Sequence, residues 1–177
     1  MKTGVLSIIL LFYPSISLAS FIGPDQKPLP ETEFRKCTPD FCVELVLTSD
    51  SELALRNWNT PSKGVYFPTK KDIKKGQMIS VFIIFKACTT TEQGYCRLTQ
   101  KLTIYQPDGK VYSNIPESEV WYNKKSPEGE SIGLSVDYVK LIVEPNEQVG
   151  TYTFNVTVKD YVSDTTAYLS KSINVTE

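Results

Sequence analysis

Side chains that carry acid–base or nucleophilic chemistry are unevenly supplied in this chain. Of its 177 residues none is histidine, whereas 20 are Asp or Glu, 19 are Lys or Arg and four are Cys. Without imidazole there is no Ser/His/Asp or Cys/His nucleophile, and the commonest zinc and copper ligand is missing. Carboxylates remain, but a paired-carboxylate glycosidase is defined by a separation that only a fold can set, and a chain this short has no extended active-site loops to supply it. Asp160 with Asp164, or Glu144 with Glu147, would give calcium some oxygens, yet no Asp-rich loop accompanies them. The chain is therefore expected to be no enzyme, with no cofactor and no metal centre.

The cysteines are spaced Cys37-x4-Cys42 and Cys88-x7-Cys96. Neither spacing is the CxxC of zinc knuckles or of redox-active pairs. Their meaning depends on compartment, and the N-terminus supplies one. Lys2, an apolar stretch from Val5 to Ile16, and small residues in Ser17-Leu18-Ala19 form a secretory signal over residues 1–19, with cleavage expected after Ala19. The apolar run is too short to span a bilayer and Pro14 interrupts it, so no transmembrane segment is expected. In an oxidising compartment four cysteines predict two disulfides. Three connectivities are possible, and the local one is expected. Thr38-Pro39-Asp40-Phe41 is a turn sequence between the first pair, and the second pair ends two facing apolar strands.

Rings and charges are the other candidates for contact chemistry. Trp58, Tyr66, Phe67, Trp121 and Tyr122 could form a platform for a sugar or peptide, or close the ends of a core. Trp121-Tyr122 falls in an irregular stretch, where binding residues concentrate, and is the first choice. The loop from Cys88 to Cys96, carrying Glu92 and Tyr95, would be preorganised by its bridge for insertion into a partner. Lys70, Lys71, Lys74 and Lys75, with Lys124 and Lys125, fit solvated strand edges. The balance of charge argues against nucleic acid. Asn155-Val156-Thr157 and Asn174-Val175-Thr176 match the N-glycosylation pattern inside predicted strands, and are expected to be ordinary polar-face residues.

These residues need elements to hold them. Residues 20–36, punctuated by Pro24, Pro28 and Pro30, predict an extended polar leader with little packing, and residues 37–177 a single domain. Phe41 to Thr48 predicts a strand, and Ser49-Asp50-Ser51 caps a short helix through Trp58. Met78 to Ala87, an unbroken apolar run, predicts a central strand. Arg97 to Tyr105 alternates and turns at Gln106-Pro107-Asp108-Gly109 into a short strand at Lys110 to Ser113. Residues 114–133 predict a long irregular connection. Tyr138 to Val143, Thr151 to Lys159 and Thr166 to Thr176 follow as strands, the second with the cleanest alternation in the chain. Seven or eight strands at hairpin spacing, with at most one short helix, predict an all-β antiparallel sandwich.

Gln148-Val149-Gly150-Thr151-Tyr152-Thr153-Phe154 resembles the start of strand F in an immunoglobulin-like sandwich, where a tyrosine plugs the corner two residues after a glycine. The resemblance implies that Tyr152 bonds nearby backbone through its hydroxyl. Phe154 stands where antibody domains carry their second inter-sheet cysteine, so the chain is similar to the exported bacterial Ig-like domains that lack that bridge. Such a fold hosts many functions. The expectation is an exported, non-enzymatic binding module of the cell envelope or extracellular space, whose partner is another envelope or secreted protein, or a glycan. The alternatives are an inhibitor or immunity-type protein acting on a hydrolase, a small carboxylate hydrolase, and donor-strand assembly through residues 20–36.

Overall fold

The computed structural model describes residues 20–23, 25–60, 66–128 and 131–177, and the predicted signal over residues 1–19 lies outside them. The order is β1 (Arg35–Cys37), β2 (Cys42–Thr48), α1 (Ser51–Asn59), β3 (Asp72–Lys74), β4 (Met78–Lys86), β5 (Tyr95–Tyr105), β6 (Val111–Lys125), β7 (Ile132–Leu134), β8 (Val139–Ile142), β9 (Gly150–Asp160) and β10 (Thr165–Thr176). The strands form two sheets. One runs β1-β2-β4, with β7 and β8 sharing the far edge of β4, and the other runs β3-β10-β9-β5-β6.

The core lies between them. Ile79, Val81, Ile83 and Phe85 of β4 meet a buried set from the other sheet that includes Leu98, Leu102 and Ile104 of β5 and Tyr152, Phe154, Val156 and Val158 of β9. Thr151 and Asn155 of β9 stay exposed, as the period-2 pattern requires. β4 does not alternate because it is covered on both faces. Its other face turns Phe82 and Ile84 into a second cluster with Phe21, Ala54 and Phe67. Helix α1 starts where expected: Asp50 Oδ1 accepts from the Leu53 amide at 2.9 Å, and the Thr60 amide closes the last turn onto the Arg56 carbonyl.

The order β6-β5-β9-β10 facing β2-β4-β8 is the C′CFG-over-ABE arrangement of an immunoglobulin-like sandwich. The corner residue confirms it. Tyr152 is fully buried and its hydroxyl donates to the Gln148 carbonyl at 2.9 Å. Gly150 has φ +126°, and a Cβ there would meet Pro107 at 3.0 Å, so both its backbone and its neighbour require glycine. Phe154 fills the antibody cysteine position as core.

Three expectations change. The strands number ten among the described residues rather than seven or eight, because β1, β3 and β7 are three-residue pieces formed on partners. Residues 114–125 are not an irregular connection but most of the fifteen-residue strand β6. Its pairing with β5 shifts register four times, and Pro116 falls in one of these irregularities on an edge strand, where no ladder donor is lost. The leader is not unpacked. Phe21 is buried in the second cluster, and the Leu45 amide donates to the Phe34 carbonyl.

Candidate functional site

Both disulfides lie at the end of the sandwich where β4 finishes and β5 begins. Cys37 and Cys42 are directly opposed in the β1–β2 hairpin, with Cα atoms 4.0 Å apart. Cys88 and Cys96, Cα atoms 5.9 Å apart, close the connection by which the chain passes from one sheet to the other. The expected local pairing is the one formed. Between Cys88 and Cys96 the loop is bonded at several points. The Thr91 and Gly94 amides make its internal turn, donating to Tyr95 and Thr91 carbonyls, and Lys125 Nζ donates to the Gln93 carbonyl at 2.6 Å. The Thr89 amide donates to Asp160 Oδ2 at 2.8 Å.

Asp160 is fully buried at the end of β9, and its other oxygen accepts the Val162 amide. One carboxylate thus ties the β4–β5 loop to the β9–β10 turn. Thr165 Oγ1 in turn donates to Asp40 Oδ2 at 2.6 Å, which draws in the Cys37–Cys42 hairpin. Three connections distant in sequence therefore become one braced surface.

The rings on this surface sort by strand parity. Trp121 and Tyr122 are consecutive in β6, so they point to opposite faces. Trp121 turns inward, its ring 5.5 Å from Phe85 and its Nε1 bonded to the Lys125 carbonyl. It is a partly buried wedge rather than a free platform. Tyr122 turns outward and lines a 260 Å3 cleft with Tyr161, Thr99, Glu117, Ser118 and Glu119. Tyr161, missed by sequence reasoning, is 45% exposed in the β9–β10 turn. Its only sequence signal is an aromatic in the short gap between two predicted strands.

Glu117 sets the electrostatics of the cleft. Its Oε1 accepts from Thr99 Oγ1 and from the Tyr161 hydroxyl, each at 2.6 Å, and its Oε2 lies 3.6 Å from Lys101 Nζ. The Thr99 bond first, then the Tyr161 bond, holds the carboxyl below its usual range, and Lys101 adds to this. The same bond to Glu117 raises the Tyr161 phenol. Lys159 lies over the Tyr161 ring at 4.7 Å and pairs with Asp164 at 2.7 Å. Such a carboxylate is held charged, and is suited to orienting a contact surface.

The remaining candidates scatter. Tyr95 and Glu92 are exposed on the braced end, with Lys125 Nζ 4.6 Å from the Tyr95 ring centroid. Trp58 and Tyr66 are elsewhere: Trp58 packs on Phe67 in the second cluster, and Tyr66 projects from that side. Lys75 bonds Glu177 and the Pro145 carbonyl, while Lys70, Lys71 and Lys74 are exposed around β3. Glu144 and Glu147 do not face a common ion, since Glu147 Oε2 accepts from the Glu144 amide and the Tyr112 hydroxyl. Among the described residues no group of His, Cys, Asp and Glu is placed to hold a metal. No described helix is long and apolar enough to cross a membrane.

No family model and no curated protein sequence matches the chain. Solved structures are similar in fold at low identity. A family 123 glycoside hydrolase from Clostridium perfringens shares 11% identity at TM-score 0.42 over 76% of this chain, which spans only 27% of that enzyme. The CARDB domain of a Pyrococcus furiosus protein, in complex with di-metal ions, shares 14% identity at TM-score 0.39, covering 93% of this chain and 98% of that one. The C-terminal domain of wzt shares 13% at TM-score 0.40, over 64% and 67% of the two chains.

Proposed function

We propose that the protein is an exported, non-catalytic binding module that engages a protein partner through the disulfide-braced end of its sandwich. One observation carries this: both bridges and the buried Asp160 brace a single surface that presents Tyr95, Tyr122 and Tyr161. Bracing lowers the ordering cost of association, and tyrosines supply contact area with few rotatable bonds. Export is supported by the signal-like N-terminus and by two bridges that an oxidising compartment favours. A non-catalytic role is supported by the missing imidazole.

The loop from Cys88 to Cys96 favours a second reading, an inhibitor of a secreted or periplasmic hydrolase, because it is closed by its bridge, bonded internally and bonded to β6 and β9. Crosslinking of the oxidised protein within its own envelope and secreted fractions tests both. A stoichiometric partner is expected, lost with Tyr122→Ala/Tyr161→Ala. If that partner is a hydrolase whose rate falls on binding, and a Gly/Ser replacement of residues 89–95 restores the rate, the inhibitor reading takes over. Capture unchanged by either variant refutes the braced end as the site.

A further inference from the structure

A second recessed surface lies away from the braced end, on the outer face of the β10-β9-β5-β6 sheet. It is a groove of 720 Å3, within the span of roughly 300 to 1,000 Å3 common for ligand sites. Its floor follows from register. Ser170, Asn155, Thr103 and Asn114 stand opposite one another across the four strands, a row about 14 Å wide at ordinary strand spacing. They bond in two pairs. Ser170 Oγ donates to Asn155 Oδ1 at 2.8 Å, and Thr103 Oγ1 to Asn114 Oδ1 at 3.1 Å. Each bond uses an amide oxygen and fixes the amide plane, which leaves both Nδ2 groups as donors and both hydroxyl oxygens as acceptors.

Two tyrosines flank this row diagonally. Tyr168 on β10 and Tyr105 on β5 lie two strands and four residues apart in register, about 17 Å by strand geometry. A lone exposed tyrosine on a strand is ordinary. Tyr168, however, is 71% exposed on the groove wall, beside a row of fixed neutral donors and acceptors. The rim on the β10 side is raised by the N-terminal arm, which the Ser170 amide secures by donating to the Glu33 carbonyl at 2.8 Å.

Charge selects the ligand. The bases at the groove, Lys36 and Lys101, are within 3.8 and 3.6 Å of Glu31 and Glu117, and Glu33 adds an acid. There is no cationic excess for a sulfated or phosphorylated polymer. We infer that this groove binds a neutral oligosaccharide, whose hydroxyls meet the Asn155/Ser170 and Asn114/Thr103 pairs and whose apolar ring faces stack on Tyr168 and Tyr105.

The test titrates the oxidised protein with cellohexaose, maltohexaose, xylohexaose, mannohexaose and chitohexaose, with heparin as the anionic comparison, followed by calorimetry and amide shifts. Binding of a neutral hexasaccharide is expected, with shifts over residues 101–105, 153–157 and 166–170. Tyr168→Ala and Asn155→Ala should each weaken it about tenfold with unchanged thermal unfolding. Tyr122→Ala/Tyr161→Ala should leave it intact, which separates this site from the braced end. Binding of heparin alone, no binding of any neutral oligosaccharide, or binding indifferent to Tyr168→Ala and Asn155→Ala would overturn the inference.

Discussion

Tyr152 and Tyr112 meet edge to face, ring centroids 5.6 Å apart, at the end of the sandwich opposite the bridges. The Tyr112 hydroxyl donates to Glu147 Oε2 at 3.0 Å. Burial first, and that carboxylate second, push the Tyr112 pKa up to about 12, and burial raises Tyr152 as well. An unfolded phenol titrates near 10. Up to about pH 10 both states hold the proton. Between about 10 and 12 the folded state keeps a proton that the unfolded state has lost, so stability falls as pH rises. Denaturation midpoints measured from about pH 9 to about pH 12 should decline above about 10, and decline less steeply in Tyr112→Phe. At neutral pH that variant should lose about 1 kcal/mol or less, the net contribution of one hydrogen bond. Equal slopes would mean that lysine titration, not this corner, governs the alkaline limb.

At the scale of elements, the connection from β4 to β5 matters most, because it carries the chain between sheets and bears the braced surface. Closing so short a loop removes unfolded-chain entropy equivalent to roughly 2 to 3 kcal/mol. Cys88→Ala/Cys96→Ala should lower stability by about that amount, and amide exchange should rise across residues 89–95, where only hydrogen bonds would remain. The legibility of these elements in the sequence follows from how each is buried. β9 was plain because one face meets the core and the other solvent. β4 was plain as an unbroken apolar run, although the reason for its lack of alternation, a cover on its second face, lay in the distant Phe21, Ala54 and Phe67. β6 was legible only to Ser113, since its register shifts and Pro116 break the period-2 pattern. That loss hid the parity of Trp121 and Tyr122, and with it the outward cleft. The polar row Ser170-Asn155-Thr103-Asn114 was beyond reach for another reason, being assembled from four strands whose pairing no local pattern encodes.

At the scale of the whole molecule, the N-terminal arm is part of the domain. Ile22 bridges Pro28, Lys86 Nζ donates to the Ser20 carbonyl, and Phe21 and Leu29 pack with Trp58, Phe67 and Phe82 over the outer face of β4. Further along, Lys171 of β10 sits 4.4 Å from the Phe34 ring centroid, beside the 2.7 Å Arg35–Glu44 pair, and burial lowers its pKa. The arm thus covers one sheet and raises the rim of the groove on the other. A tether could be removed without effect, whereas removal of an arm packed in this way is expected to lower stability. Phe21→Ala should cost about 2 to 4 kcal/mol in a denaturation experiment, as expected for emptying an aromatic site in a secondary cluster. Deleting residues 20–33 should cost more, bind a hydrophobic dye at the bared face of β4, and weaken saccharide binding through loss of the Glu33 rim. An unchanged midpoint in both variants would return the arm to the status of a free strand, and would reopen donor-strand assembly as its role.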